Sequence, residues 1–350
     1  MTNGVYVVDQ GGNQQGRGYT WANGGGGGGG GGSTVETIFG YNWNGSDTSY
    51  QTIAGRKARF SGRVPCVRIY NGSRMPAQFN LSVNVAEEKR ASYSFKAGGD
   101  SAGLAAGNYN AQMKSWLESI PPNWTIFWTY HHEVNSSAGL EVPVIEYKAT
   151  YHQMRLVLNS ANLASGVQVF ITCNFMGFQL GSFQQSWIPP RTDCDILSWD
   201  LYGNPGVNTS PTGSNKYGGP ATGSGYDTTY PLVSQRLAPM FQITEAAGYA
   251  DSWGLLEVNS PLRNWDATEA GRVAWTKDYI ATCLKPPMTG SVPPKVMLLW
   301  EAPSGANWNQ AYGYNTHAAK GGTRVAYNPA SGSPMWGVWA PYIIGTPVGG

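Results

Sequence analysis

Two glutamates each close an apolar run. Glu133 lies in Trp128-Thr129-Tyr130-His131-His132-Glu133-Val134-Asn135, and Glu257 in Trp253-Gly254-Leu255-Leu256-Glu257-Val258-Asn259. A carboxylate at the end of a buried segment is costly unless it is paired, hydrogen-bonded or put to use. Two carboxyls held on either side of one bond can divide the work of breaking it. One donates a proton to the leaving oxygen, and the other attacks the carbon. The acid needs a raised pKa, which a partly apolar aromatic pocket supplies, while the nucleophile needs donors that keep it ionised. Period-two alternation sets Trp253, Leu255 and Glu257 on one face and predicts that Glu257 points into a shared mouth. A structural ion pair is the competing reading for Glu257, and a solvated loop tip for Glu133. The pair His131-His132 before Glu133 also invites a metal reading. The zinc-protease spacing needs a second histidine four residues on, Val134 to Ser137 offers none, and only His152 and His317 remain. Neither a metal nor another cofactor is expected.

The segments that would position these groups read as βα units. From Thr34 onward, short apolar strands alternate with helical patterns, which predicts a parallel sheet. The strand candidates are Thr37–Trp43, Val64–Asn71, Ala91–Lys96, Thr125–Val134, Val167–Asn174, Ile196–Tyr202, Trp253–Asn259 and Val296–Glu301. Helical periodicity falls on Asn110–Ile120, Tyr147–Asn162, Leu232–Ala247 and Ala267–Leu284. In the second of these, Tyr147, Tyr151, Met154, Leu158 and Ala161 share one stripe. Eight βα repeats are the number that closes a (β/α)8 TIM barrel, an α/β fold whose active sites sit at the C-terminal ends of the strands. The long connections Gly203–Tyr230 and from Ala302 onward, rich in Gly, Pro, Ser and Asn, belong on that face.

Strands four and seven stand across a barrel mouth from each other, which is where Glu133 and Glu257 fall. In a retaining glycosidase the two carboxyls are about 5–5.5 Å apart and work by double displacement through a covalent intermediate. Support is expected on neighbouring strands. Arg68 would point inward from strand two toward the nucleophile. Tyr202 could donate its hydroxyl to Glu257, and Asp200, on the same face as Tyr202, could bind a sugar hydroxyl or His132. Trp300 could floor a sugar ring, and Trp43, Trp128 and Trp308 are candidates for stacking on sugars, with a place in the core as the alternative for each.

This ordered set resembles the clan of retaining (β/α)8-barrel glycoside hydrolases with the acid/base on strand four and the nucleophile on strand seven. That clan carries an Arg on strand two, a Tyr near strand six and a Trp on strand eight, positions matched by Arg68, Tyr202 and Trp300. A His directly before the acid/base, as in His132-Glu133, and the segment Asp200-Leu201-Tyr202 are similar to the β-mannanase-like family twenty-six. The resemblance spans about residues 35–305 and implies a polysaccharide substrate. The Leu-Glu-Val-Asn around Glu257 departs from the family's Glu-x-Gly.

Residues 1–32 differ from the remainder. They are polar and Gly-rich and end in nine consecutive glycines, Gly24 to Gly32, which predicts either a flexible linker or an arm that anchors the barrel of residues 33–350 in a larger assembly or homo-oligomer. The start has neither the basic nor the apolar region of a signal peptide, and no apolar stretch approaches the roughly 18 residues that span a membrane. A sugar-cleaving body joined to an arm through polyglycine resembles minor tail proteins of bacteriophages, which implies a virion setting; a secreted, extracellular glycosidase is the other. A net charge of +2, with no run of Lys or Arg, argues against a nucleic-acid partner. The four cysteines, Cys66, Cys173, Cys194 and Cys283, show no metal-ligand spacing and read as buried thiols. Two further functions remain open: a carbohydrate-binding adhesion module on a degenerate barrel, and a structural subunit.

Overall fold

Alternation along parallel strands divides their side chains between two cores, one inside a barrel and one beneath its helices. In the computed structural model the residues described are 37–42, 66–72, 74–79, 89–135, 142–177, 185–202, 232–259, 270–299, 338–339 and 342. Eight strands pair in sequence order and close: β1 Ile38–Asn42, β2 Val67–Tyr70, β3 Arg90–Phe95, β4 Thr125–Tyr130, β5 Gln168–Met176, β6 Ile196–Tyr202, β7 Trp253–Asn259 and β8 Val296–Leu299. All neighbours are parallel, and β8 pairs with β1 through Ile38–Val296 to Tyr41–Leu299. The described helices are α1 Ser101–Ala105, α2 Asn110–Glu118, α3 Val144–Ser160, α4 Val233–Ala246 and α5 Ala270–Leu284. The chain thus has the (β/α)8 fold expected of it. The polyglycine arm lies outside the described residues.

The inner core is small and sits toward the N-terminal ends of the strands: Ile38, Cys66, Phe127, Phe170, Ile196, Leu256, Val296 and Leu298. Gly40 on β1 approaches β2 so closely that a Cβ there would stand 2.3 Å from the Cys66 carbonyl oxygen, so no larger residue fits. Above this plug the inward positions turn polar, with Arg68, Ser92, Ser94, Thr129, Asn174, Ser198, Asp200 and Glu257 all buried. The outer core, between strands and helices, is far larger and rich in aromatics. The predicted stripe of α3 is buried there through Tyr147, Tyr151, Met154 and Leu158. Tyr151 donates its hydroxyl to the carbonyls of Tyr130 and Thr172, tying the helix to β4 and β5.

Three expectations need correction. Strand four stops at Tyr130 rather than Val134, because His131 and Glu133 take left-handed φ values of 47° and 56° and turn the chain out of the ladder. Trp128 faces outward: its ring stacks on Trp116 of α2 at 5.9 Å and on Phe95 at 6.0 Å, so it is a core residue and not a sugar platform. Trp253 and Leu255 also belong to the outer core, yet Glu257 faces inward. Opposite β6, Trp199 pairs with Leu255 and Asp200 with Glu257, so Leu256 is an extra residue that forms a β-bulge. The ladder with β8 shifts at the same place, between Leu255 and Val258.

All four cysteines are buried, and none forms a disulfide. Among the described residues no helix is long and apolar enough to cross a membrane.

Candidate active site

Arg68 and Tyr70 are two apart on β2 and share its inner face, so both reach the barrel axis. Arg68 Nη1 stands 2.8 Å from Asp200 Oδ1 and 3.2 Å from Glu257 Oε1, joining β6 to β7 through one guanidinium. Tyr70 donates its hydroxyl to the same Glu257 Oε1 over 2.5 Å. Its ring lies 4.9 Å from the Arg68 guanidinium carbon and meets the His132 ring edge-on at 5.2 Å. Glu257 is thus gripped from β2 by one hydrogen bond and one ion pair.

Asp200 is fully buried and has both oxygens engaged. Oδ1 accepts from Arg68, and Oδ2 accepts from Asn174 Nδ2 at 2.7 Å. Asn174 is held in turn, its Oδ1 standing 2.9 Å from Ser198 Oγ. Glu133 reaches this group from the turn after β4, where its backbone N–H donates to the Asn174 carbonyl at 3.1 Å. One oxygen from each of Glu133, Asp200 and Glu257 lies within 4.8 Å of the others.

Three carboxyls around one guanidinium cannot all ionise at ordinary values. Burial pushes Glu133 well above the usual carboxylate range, and the charges of Glu257 and Asp200 add to this against the opposing pull of Arg68. A hydrogen bond to Asp200 also favours the protonated form of Glu133. Burial pushes Asp200 up to about 7, with Arg68 and Asn174 opposing the rise and Glu257 reinforcing it. His132 is held well below the ordinary imidazole value, first by burial and then by the Arg68 charge, so its ring is neutral. The arrangement sets a carboxyl biased toward its protonated form opposite one that accepts from Tyr70 and pairs with Arg68. Three carboxylates this close could also gather a cation, but Arg68 already supplies the positive charge between Asp200 and Glu257.

Of the residues expected from sequence, Glu133, Glu257, Arg68, Asp200 and His132 come together. His131 is buried with its ring edge-on to Tyr130, on the outer side of β4. The side chain of Tyr202 and the whole of Trp43, Trp300 and Trp308 lie outside the described residues. Tyr70 and Asn174 were not anticipated. The signal for Tyr70 was its place two residues beyond inward-pointing Arg68. For Asn174 it was a lone amide in the apolar run of β5.

No protein-family model and no curated protein matches the sequence. Solved structures do match. Plant β-glucan endohydrolases superpose with a TM-score of 0.50 at 15% identity, over 79% of this chain and 95% of that one. A family 5 endoglucanase from Bacteroides salanitronis gives 0.46 at 12% identity, over 89% and 94%. A family 26 β-mannanase from Bacteroides ovatus gives 0.43 at 15% identity, over 88% of each chain. At these identities the likeness concerns the fold alone, the (β/α)8 architecture that the strand pairing itself shows.

Proposed function

We propose that the chain is a retaining glycoside hydrolase acting on a cell-surface or cell-wall polysaccharide, with Glu133 as general acid/base and Glu257 as nucleophile. The observation that carries this is the approach of one oxygen of each carboxyl to within 4.8 Å, with Tyr70 donating to Glu257 and the Arg68 guanidinium 3.2 Å from the same oxygen. Retaining pairs stand about 5–5.5 Å apart, whereas inverting pairs keep about 6.5–9.5 Å to admit a water between them. Asp200 is a poor nucleophile, since both of its oxygens are committed to Arg68 and Asn174.

The chemistry divides between the two carboxyls. Glu133 gives its proton to the glycosidic oxygen as Glu257 attacks the anomeric carbon, and the leaving sugar departs with that proton. Glu133, now ionised, takes a proton from water as the water attacks the glycosyl–Glu257 ester, which frees the sugar and restores both groups. Arg68 and Tyr70 balance the charge on Glu257 before attack and after release. For residues 1–32 the sequence supports an arm that anchors this body in an assembly such as a phage tail. Unchanged assembly size without those residues would remove that setting and leave the catalytic reading intact.

The test is the release of reducing sugar from a panel of bacterial wall polysaccharides, β-glucans and β-mannans by wild type, Glu133→Gln and Glu257→Gln. Cleavage by wild type that both variants lose supports the proposal. Binding of a glycan that wild type never cuts, or cleavage that survives in Glu257→Gln, overturns it.

A further inference from the structure

We infer that Asn135 is the positioning residue for Glu133, its side-chain amide pinning the turn that carries this carboxyl onto the tip of β5. The inference rests on the role of Glu133 proposed above.

The β4–β5 ladder runs from Thr125–Gln168 to Trp128–Ile171, while β5 itself continues to Met176. Beyond β4 the chain enters a turn in which His131 and Glu133 both hold left-handed backbone conformations. Non-glycine residues persist there only when their surroundings over-determine them, and such strain gathers at functional sites. The restraints are visible. The His131 N–H donates to the Phe95 carbonyl at 2.7 Å, and the Glu133 N–H to the Asn174 carbonyl at 3.1 Å. Asn135 supplies two more: its Nδ2 donates to the Met176 carbonyl at 2.9 Å, and its Oδ1 accepts from the Met176 N–H at 2.7 Å.

The Asn135 amide thus does for Met176 what the peptide group of another paired residue would do, and it extends the junction of β4 and β5 past the end of their ladder. This is a side chain taking the part of backbone. The segment it grips is the one that sets the rest of the cluster, since Asn174 holds Asp200 at 2.7 Å and Met176 is the register partner of Asp200. Asn135 is buried, and its side-chain amide bonds the Met176 backbone rather than a carboxylate. It acts through the backbone that follows Glu133, fixing that carboxyl against Asp200 and Glu257.

The experiment is a carboxyl-carbon NMR titration of the full chain with labelled glutamate, the Glu133 signal being assigned by its loss in Glu133→Gln. In wild type, Glu133 titrates well above the ordinary glutamate range. In Asn135→Leu, similar in size but without the amide, its apparent pKa falls by at least one unit, a tenfold loss of proton affinity, as the turn relaxes away from the carboxylates. Asn135→Gln, which keeps the amide, recovers part of the shift. Should Asn135→Leu not fold, Asn135→Ser is read in the same way, with thermal unfolding confirming that the variant is native. A folded variant in which Glu133 titrates as in wild type overturns the role of Asn135 while leaving Glu133 as the acid. An ordinary pKa for Glu133 in wild type overturns the acid assignment itself, and the positioning role with it.

Discussion

The Tyr70 hydroxyl and the Arg68 guanidinium converge on one oxygen of Glu257, at 2.5 Å and 3.2 Å, although the tyrosine and the glutamate are 187 residues apart in sequence. The tyrosine donates a hydrogen bond and the guanidinium adds an ion pair, both at the oxygen of the proposed nucleophile. Tyr70→Phe keeps the ring beside Arg68 and removes only the hydroxyl. A hydrogen bond to a charged group contributes about 1.5–3 kcal/mol, so kcat on a cleaved polysaccharide should fall roughly 10–100-fold. Thermal stability should change little. An unchanged kcat would reduce Tyr70 to a packing residue.

Asp200 should make the fold less stable as pH rises. Its folded-state value of about 7 lies above the ordinary 3.8, so between those values the unfolded chain gives up the proton first. Unfolding free energy then declines with increasing pH across that window. Urea melts between those pH values should show the downward slope in wild type and a shallower one in Asp200→Asn. The raised Glu133 acts in the same direction and leaves a residual slope. Equal slopes in the two proteins would show that Asp200 is not the group responsible.

Leu256 is the extra residue of the bulge on β7, and both neighbouring ladders slip at it. Deleting Leu256 restores regular alternation with Leu255 outward and Glu257 still opposite Asp200. The deletion variant should therefore retain measurable hydrolysis. It should also be less stable by about 2–5 kcal/mol, as for other large-to-small changes in a packed core, because Leu256 is part of the inner plug. Complete loss of activity in a folded deletion variant would show that the bulge does more than re-aim one side chain.

The barrel was legible because its signal is distributed. Eight apolar strands and the stripe of α3 could each be misread by a residue or two without changing the count. The outline of the site was legible for a related reason, since Arg68, Asp200, Glu133 and Glu257 each interrupt an apolar strand or close it. What escaped was local geometry. Strict alternation put Glu257 on the face of Trp253 and Leu255, and only pairing with β6 reveals the extra residue that turns it inward. The end of β4 was overrun because His131 and Glu133 have no glycine to announce their left-handed backbone. Trp128 reads equally as a sugar platform or a core residue, because composition cannot distinguish the two faces of a strand. Tyr70 escapes a reading of the sequence because its partner Glu257 lies 187 residues away, and Asn174 because the carboxylate it holds, Asp200, comes from the next strand.

Trp128 provides a control for that last distinction. It is fully buried between Phe95 and Trp116. Trp128→Ala should lower unfolding free energy by about 3–5 kcal/mol in denaturant melts. Its KM for a cleaved polysaccharide should stay near that of wild type at temperatures where it is folded. A large rise in KM without loss of stability would restore Trp128 to the binding surface.

The most direct test of the paired glutamates is the anomeric configuration of the first-formed product, followed by proton NMR on a polysaccharide that the protein cleaves. With one oxygen of each carboxyl within 4.8 Å of the other, attack by Glu257 and then by water inverts the anomeric carbon twice. The product should first appear with the configuration of the substrate and only later drift by mutarotation. A first product of opposite configuration would mean a single displacement by water, and would contradict Glu257 as the nucleophile.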